Sequence, residues 1–254
     1  MQIICIANQK GGVGKTTTAH ILLTGLTHAG YRTLGIDIDP QTNLTYTAGI
    51  EPDTQKDIYD LFKGTPVAEA IQTTSAGFDM IAGSINLAGA DMEFTQIGKE
   101  YILKELLQPV KEKYDFCIID TPPTLGILTV NALTAAHKVI IPMLADVYSL
   151  QGLSQLHAMI QNVNRYCNPD LIIDGLLLTK YSPRAVINQQ LKDNLEHLAK
   201  QLNTKLYSST IREAVAIKEV QLAAGDLFRD NPKANITQDY KAFIEELTGK
   251  DLKQ

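Results

Sequence analysis

Two regimes of apolar and polar positions alternate along this chain. Short runs rich in Ile, Val and Leu occur at 2–7, 33–38, 78–82, 115–120, 138–143, 171–178 and 205–208. Four to eight consecutive apolar residues suit a strand covered on both faces, so these runs read as buried strands. Between them lie longer stretches with helical spacing, at 16–29, 99–112, 127–136, 150–166, 185–202 and 235–248. Leu153, Leu156, Ile160 and Val163, for example, recur at intervals of three and four and so share one helix face. Strands and helices alternating in this way predict an α/β protein with a mostly parallel twisted sheet, helices on both faces, and ligands at the C-terminal strand ends. No repeat, low-complexity tract or Pro/Gly linker divides the pattern, so residues 1–254 are expected to form a single domain. Met92, Phe94 and Phe243 are expected in the core, and Asn131 is expected to brace the loop before its helix.

Composition narrows this picture. With 44% hydrophobic and 20% charged residues in 254, the chain is ordinary for a globular protein, which excludes disorder, collagen and coiled coil. A net charge of −5, from 23 Lys plus Arg against 28 Asp plus Glu, disfavours a globally basic nucleic-acid binder. The charge is unevenly spread, however. Residues 1–150 hold 10 basic and 16 acidic side chains, whereas 151–254 hold 13 and 12, so any positive surface lies C-terminal. Cys5 and Cys117 sit inside strand runs, Cys167 stands apart, and no Cys-x-x-Cys occurs. That pattern reads as buried thiols in a reducing compartment and argues against zinc, iron–sulfur or redox sites. No signal peptide and no run of roughly 18 apolar residues is present, so a cytoplasmic location without membrane partners is expected.

The chemistry is concentrated at strand ends. The first strand runs into Asn8-Gln9-Lys10-Gly11-Gly12-Val13-Gly14-Lys15-Thr16-Thr17-Thr18 and then into a helix. A Gly-rich loop feeding a helix N-terminus offers backbone N–H groups and the positive end of the helix dipole to phosphates. Gly11, Gly12, Val13, Gly14, Lys15, Thr16 and Thr17 would form that cradle, with Lys15 reaching the β and γ phosphates and the Thr16 hydroxyl on Mg²⁺. The second strand ends in Asp37-Ile38-Asp39-Pro40, where a carboxylate can hold a Mg²⁺-bound or attacking water. Asp37, further back in the strand, reads as structural. The strand 115–120 closes on Asp120 after four apolar residues, an arrangement suited to contacting Mg²⁺ through water.

The ordinary P-loop has a glycine where Gln9 stands, and here Lys10 and Lys15 instead bracket the glycines. Lys-Gly-Gly-Val-Gly-Lys-Thr-Thr resembles the deviant Walker A motif of the ParA/MinD ATPase superfamily. The resemblance implies a three-layer P-loop NTPase fold, ATP and Mg²⁺ as ligands, and slow, partner-stimulated hydrolysis of ATP to ADP and phosphate. It casts residues 37–43 and 120–126 as the two switch segments and assigns Asp39 to hydrolysis. It also sends Lys10 across a homodimer interface, formed on ATP binding, to the partner's nucleotide.

Residues 142–156 and 211–224 are similar to the partition branch, ParA/Soj, although Gln151 replaces the usual Glu and Leu144-Ala145-Asp146 replaces a common polar triplet. In that branch the ATP-bound dimer binds double-stranded DNA without sequence preference and segregates plasmid or chromosome DNA with a ParB-like adaptor, in association with the nucleoid. The resemblance places the DNA-binding region at 180–229, with Arg184 and Arg212 as the foremost contacts. Between 176 and 229 stand eight basic and five acidic residues. Two rivals share the nucleotide motifs: a positioning ATPase for a non-DNA cargo or membrane site, like MinD or McdA, and a metabolic ATP-dependent ligase relative. The C-terminal helix lacks the basic amphipathic character of a membrane-targeting segment, which counts against the membrane version.

Overall fold

The computed structural model describes residues 1–52, 54–146, 148–182 and 186–250, apart from the side chains of 148–151 and 186–191. Eight strands form one sheet: β1 (Gln2–Ile6), β2 (Thr33–Asp37), β3 (Ile71–Thr73), β4 (Asp79–Ile81), β5 (Phe116–Asp120), β6 (Lys138–Met143), β7 (Ile172–Leu178) and β8 (Leu206–Thr210). Their order is β3-β4-β2-β5-β1-β6-β7-β8, and every pairing is parallel except that of β3 with β4. The helices are α1 (Lys15–His28), α2 (Asn43–Thr47), α3 (Ile58–Phe62), α4 (Ala90–Glu93), α5 (Ile102–Leu107), α6 (Ile127–Ala135), α7 (Tyr148–Tyr166), α8 (Val186–Gln201), α9 (Val215–Leu222), α10 (Leu227–Asp230) and α11 (Asn235–Thr248). This is the α/β three-layer arrangement expected from the alternation.

Period-two strands place successive side chains on opposite faces. In β1, Ile3 and Cys5 join a core with Leu103, Leu128, Leu156 and Leu195 on one side, while Ile4 and Ile6 join Leu22, Leu26, Phe243 and Ile244 on the other. Cys5 and Cys117 are buried free thiols, and burial pushes both upward in pKa. Phe94 and Phe243 lie in the core as expected. Met92 does not: it is 84% exposed on the four-residue α4. Asn131 does not brace the loop before its helix: its amide Nδ2 donates to Ile127 O in the first turn of α6 and to Lys99 O, and its Oδ1 accepts from Leu103 N, which ties α6 to the start of α5.

The expected helix at 99–112 is broken into α5 between two short 3₁₀ turns. Gly98, with φ 84°, turns the chain at one end, and Pro109 removes a backbone donor at the other. Six elements lie outside the ranges expected from the pattern: the antiparallel edge strand β3 and the helices α2, α3, α4, α9 and α10.

Toward the β8 edge, β7 carries an irregularity. Val139 pairs with Ile173 and Ile140 with Gly175, leaving Asp174 as an extra residue. Asp174 accepts from the Tyr207 hydroxyl and pairs with Lys138 at 2.6 Å. Tyr207 is fully buried and meets Phe243 edge-to-face at 4.8 Å. A Cβ on Gly175 would come within 2.5 Å of this ring, which has no room to retreat. Gly175→Ala is therefore expected to lower the unfolding free energy by about 1–3 kcal/mol, measured by urea denaturation.

Candidate active site

Strand β1 lies between β5 and β6, and the chain leaves it for β2 on one side while β6 continues the sheet on the other. At such a reversal the loops diverge and open a crevice at the C-terminal edge. The loop at 8–14 lies in this crevice and is fastened to two neighbouring strand ends, while a third holds the end of β1 itself. Asn8 Nδ2 donates to Pro142 O at 2.7 Å, and Asn8 Oδ1 accepts from Lys10 N at 2.9 Å. Thr179 Oγ1, just beyond β7, donates to Val13 O at 2.7 Å. Thr121 Oγ1, just beyond β5, donates to Ile6 O at 2.9 Å.

Gly12 and Gly14 take φ values of 73° and 87°, the left-handed region that a side chain resists, and so allow the loop to curl around a cavity. Gly14 also begins α1 with no side-chain cap, leaving first-turn N–H groups and the helix dipole to an anion. Lys15 folds back inside the loop, its Nζ 3.4 Å from Lys10 O. Burial lowers its pKa, against the opposing pull of Asp120 and Asp39. Lys10 points elsewhere, placing its Nζ 2.5 Å from Asp146 Oδ2 at the rim.

The carboxylates complete the crevice. Asp120 is fully buried, and its Oδ2 accepts from Thr16 Oγ1 at 2.6 Å. Its Oδ1 has no hydrogen-bond partner among the described residues. Burial and the neighbouring Asp37 hold the Asp120 carboxyl well above the carboxylate range, although Thr16 and Lys15 pull it down. The register explains the proximity, because Asp37 and Asp120 sit opposite each other on β2 and β5.

Asp37 is committed to shaping the following turn. Its Oδ2 accepts from Thr45 N and Oγ1 at 2.9 and 2.8 Å, and its Oδ1 accepts from Asp39 N at 3.1 Å. Thr45 Oγ1 in turn accepts from Gly83 N at 2.8 Å. Asp39, almost fully buried, accepts from Gln41 N at 3.0 Å through Oδ1. Thr42 completes the turn at φ 53°, a strained conformation for a β-branched residue.

Gly11 to Thr17, Asp39 and Asp120 thus gather at one sheet edge. Among the described residues no three His, Cys, Asp or Glu side chains form a metal-binding group by themselves. A hydroxyl beside a buried carboxylate with an unmatched oxygen nonetheless suits a hard cation that takes its remaining ligands from phosphate and water, as Mg²⁺ does.

A feature that motif reading missed is a cavity of about 130 Å³ beside the loop, lined by Gly14, Thr17, Thr179, Lys180, Ile211, Ala214, Ile217 and Gln221, among others. Gln221 Nε2 donates to Thr17 Oγ1 at 3.1 Å, which ties α9 to the phosphate loop. The spacing of Ile211, Ala214 and Ile217 was its one sequence signal. Arg212, at the mouth of this cavity, is engaged by Asp239 through Nε at 2.6 Å and Nη2 at 2.8 Å. Arg184 lies outside the described residues. No helix among the described residues is long and apolar enough to cross a membrane.

A phosphate loop at a parallel-sheet switch point, a buried lysine, and acidic ends on the two adjacent strands together define a P-loop NTPase. A family model described as an AAA domain matches residues 1–173. The sporulation initiation inhibitor protein Soj of Bacillus subtilis is 40% identical over 97% of this chain and 98% of its own length. The chromosome partitioning protein ParA of Myxococcus xanthus is 37% identical over 98% of this chain and 89% of its own. The chain belongs to the ParA/Soj family of P-loop partition ATPases. A crystal structure of cobyrinic acid a,c-diamide synthase from Mycobacterium smegmatis, with bound ATP analogue and magnesium, matches with a TM-score of 0.86 and 32% identity over 99% of this chain and 98% of that one.

Asp120 bears a cost that a neutral isostere would relieve. Its raised carboxyl pKa means that the folded chain keeps a proton which the unfolded chain loses in the ordinary carboxylate range. The stability of the nucleotide-free form should therefore decline as pH climbs from that range through the raised value. Asp120→Asn is expected to stabilise the nucleotide-free protein at pH 7 by about 1–3 kcal/mol and to flatten that decline, read by thermal unfolding across pH.

Proposed function

We propose that this chain hydrolyses ATP slowly, forms a homodimer when ATP and Mg²⁺ are bound, and in that state binds double-stranded DNA without sequence preference to segregate plasmid or chromosome DNA with a ParB-like adaptor. One observation carries the reading: the two lysines bracketing the loop are disposed differently. Lys15 is buried within its own cradle, whereas Lys10 is turned out of it at the rim, where a second protomer could present a nucleotide.

Within one protomer, N–H groups of Gly11 to Thr17 grip the phosphates and the Lys15 ammonium offsets their charge. Thr16 and Asp120 would hold Mg²⁺, which when bound neutralises charge on the transferred phosphoryl group. Asp39 orients the attacking water, and the Asp37–Thr45–Gly83 chain of hydrogen bonds keeps the Asp39 turn in place. Among the described residues no strong base stands beside Asp39 and Asp120, which favours slow turnover until an adaptor completes the site. The adenine occupies the cavity beside Gly14, between the Thr179-Lys180 backbone and the Ile211–Ile217 wall. The domain is taken to be single, with the C-terminal half carrying the basic face and the nucleoid as its setting.

Light scattering with ATP and Mg²⁺ tests the dimer. Asp39→Ala is expected to dimerise while releasing little phosphate, and Lys10→Ala to stay monomeric yet still bind nucleotide. An Asp39→Ala chain that remains monomeric would refute the reading.

DNA co-sedimentation with ADP, ATP and a slowly hydrolysed analogue tests the partner. Retention should require the triphosphate and fall by roughly tenfold or more between 50 and 200 mM salt. Arg212→Glu should weaken it, although Arg212 must first exchange Asp239 for a phosphate. DNA binding that is absent in every nucleotide state would favour the non-DNA positioning ATPase instead.

A further inference from the structure

Residues 144–146 read Leu-Ala-Asp where the partition branch commonly has a polar triplet, and nothing in the reading above uses the aspartate. The structure gives it a place. Asp146 Oδ2 lies 2.5 Å from Lys10 Nζ, with the two side chains 33% and 29% exposed. We propose that Asp146 is a positioning residue for Lys10: it holds the lysine against its own protomer and must let go before Lys10 reaches a partner's phosphate. Asp146 thereby sets the protein concentration at which ATP drives dimerisation. This inference rests on the reading of Lys10 as acting across a dimer.

Three observations support it. The pair is spaced by the fold rather than by a chance meeting of two long side chains. Lys10 N is bonded to Asn8 Oδ1 at 2.9 Å, and Asn8 Nδ2 to Pro142 O at 2.7 Å, four residues before Asp146 on the same strand end. The end of β6 therefore carries the root of Lys10 and the carboxylate that receives its tip. Charge explains how the bridge yields. A triphosphate presents more negative charge than one carboxylate, so a partner's nucleotide competes for the ammonium, whereas a protomer without a partner offers Lys10 nothing better than Asp146. Exposure sets the strength. A pair about one-third open to solvent is weak and quickly reversible, which suits an exchange of partners; a fully buried pair would lock the lysine in place.

The test measures dimerisation by sedimentation over a range of protein concentrations, with a slowly hydrolysed ATP analogue and Mg²⁺, for the unaltered chain, Asp146→Asn and Asp146→Ala. ADP affinity is measured in parallel, because ADP binding reads the protomer's own cradle without the dimer. Two bridges break per dimer, so both variants should dimerise at roughly fivefold to twentyfold lower protein concentration. Their ADP affinity should be unchanged within about twofold. The double variant Asp146→Asn with Lys10→Ala should behave as Lys10→Ala alone.

If the unaltered chain dimerises and both variants do so only at the same or higher concentration, Asp146 does not restrain Lys10 and the inference falls, while the dimer reading stands. A parallel loss of ADP affinity and thermal stability, with no gain in dimerisation, would show a merely structural residue and overturn it as well. If the unaltered chain stays monomeric with the analogue, the dimer reading itself fails and this inference fails with it.

Discussion

A carboxylate that water does not reach governs this molecule's chemistry. Asp120 lies at the end of β5 with one oxygen bonded to Thr16 and the other bonded to nothing among the described residues. Three features accompany the burial of that carboxyl group. Lys15 is drawn into the crevice despite the cost of its own burial. Asp37, directly across the register, must be held by Thr45 and the Asp39 backbone so that a second carboxylate can be tolerated beside the first. A divalent cation would favour the ionised form of these carboxyl groups and take up the unmatched Asp120 oxygen. The site is thus folded into a state that its ligands relieve, in keeping with the general observation that polar groups without partners cluster where function needs them.

The grip on the phosphate loop comes mostly from one side. Asn8 is bonded to the end of β6 and Val13 to Thr179 beyond β7, while the two acidic turns follow β2 and β5 on the opposite side. The sheet therefore sets the side that anchors the loop apart from the side that carries the acidic turns. On the acidic side the turn after β2 includes a strained Thr42, and the hydrogen bond from Gly83 to Thr45 links it to the end of β4. The α6 N-terminus, immediately after the second acidic turn, is held by Asp91 through Ile127 N at 2.7 Å. Rearrangement of either turn would be felt in β4 and α4 before it reached the β8 edge.

Much of this was legible in the order of residues, for physical reasons. Strands buried on both faces leave unbroken apolar runs, so β1, β2, β5, β6 and β7 stood out. β3 did not, because Ile71-Gln72-Thr73 is short, lies at an edge and is only partly buried. α9 escaped for a related reason: Val215 and Leu222 face solvent and Val220 alone is fully buried, so its apolar residues do not trace a single inward stripe. Met92 shows the converse error, since an apolar residue on a four-residue helix has no face that guarantees burial. The phosphate loop could be read because its residues are consecutive. The cavity beside Gly14 and the Lys10–Asp146 bridge could not, because their parts are brought together from distant points, 136 residues apart in the second case.

Thr179 touches both the phosphate loop and the cavity beside it. Its hydroxyl anchors Val13, at the bend of the phosphate loop, while the residue itself lines the cavity proposed for the base. The two ends of a bound nucleotide would therefore meet a single mechanical joint. A ligand with the phosphates but the wrong base would leave that joint poorly seated, and a base without phosphates would have little to pull against. Discrimination and grip would in that sense be one act: with the base in that cavity, the joint at Thr179 would register the length and shape of the whole nucleotide, much as a calliper registers an object only when both jaws touch.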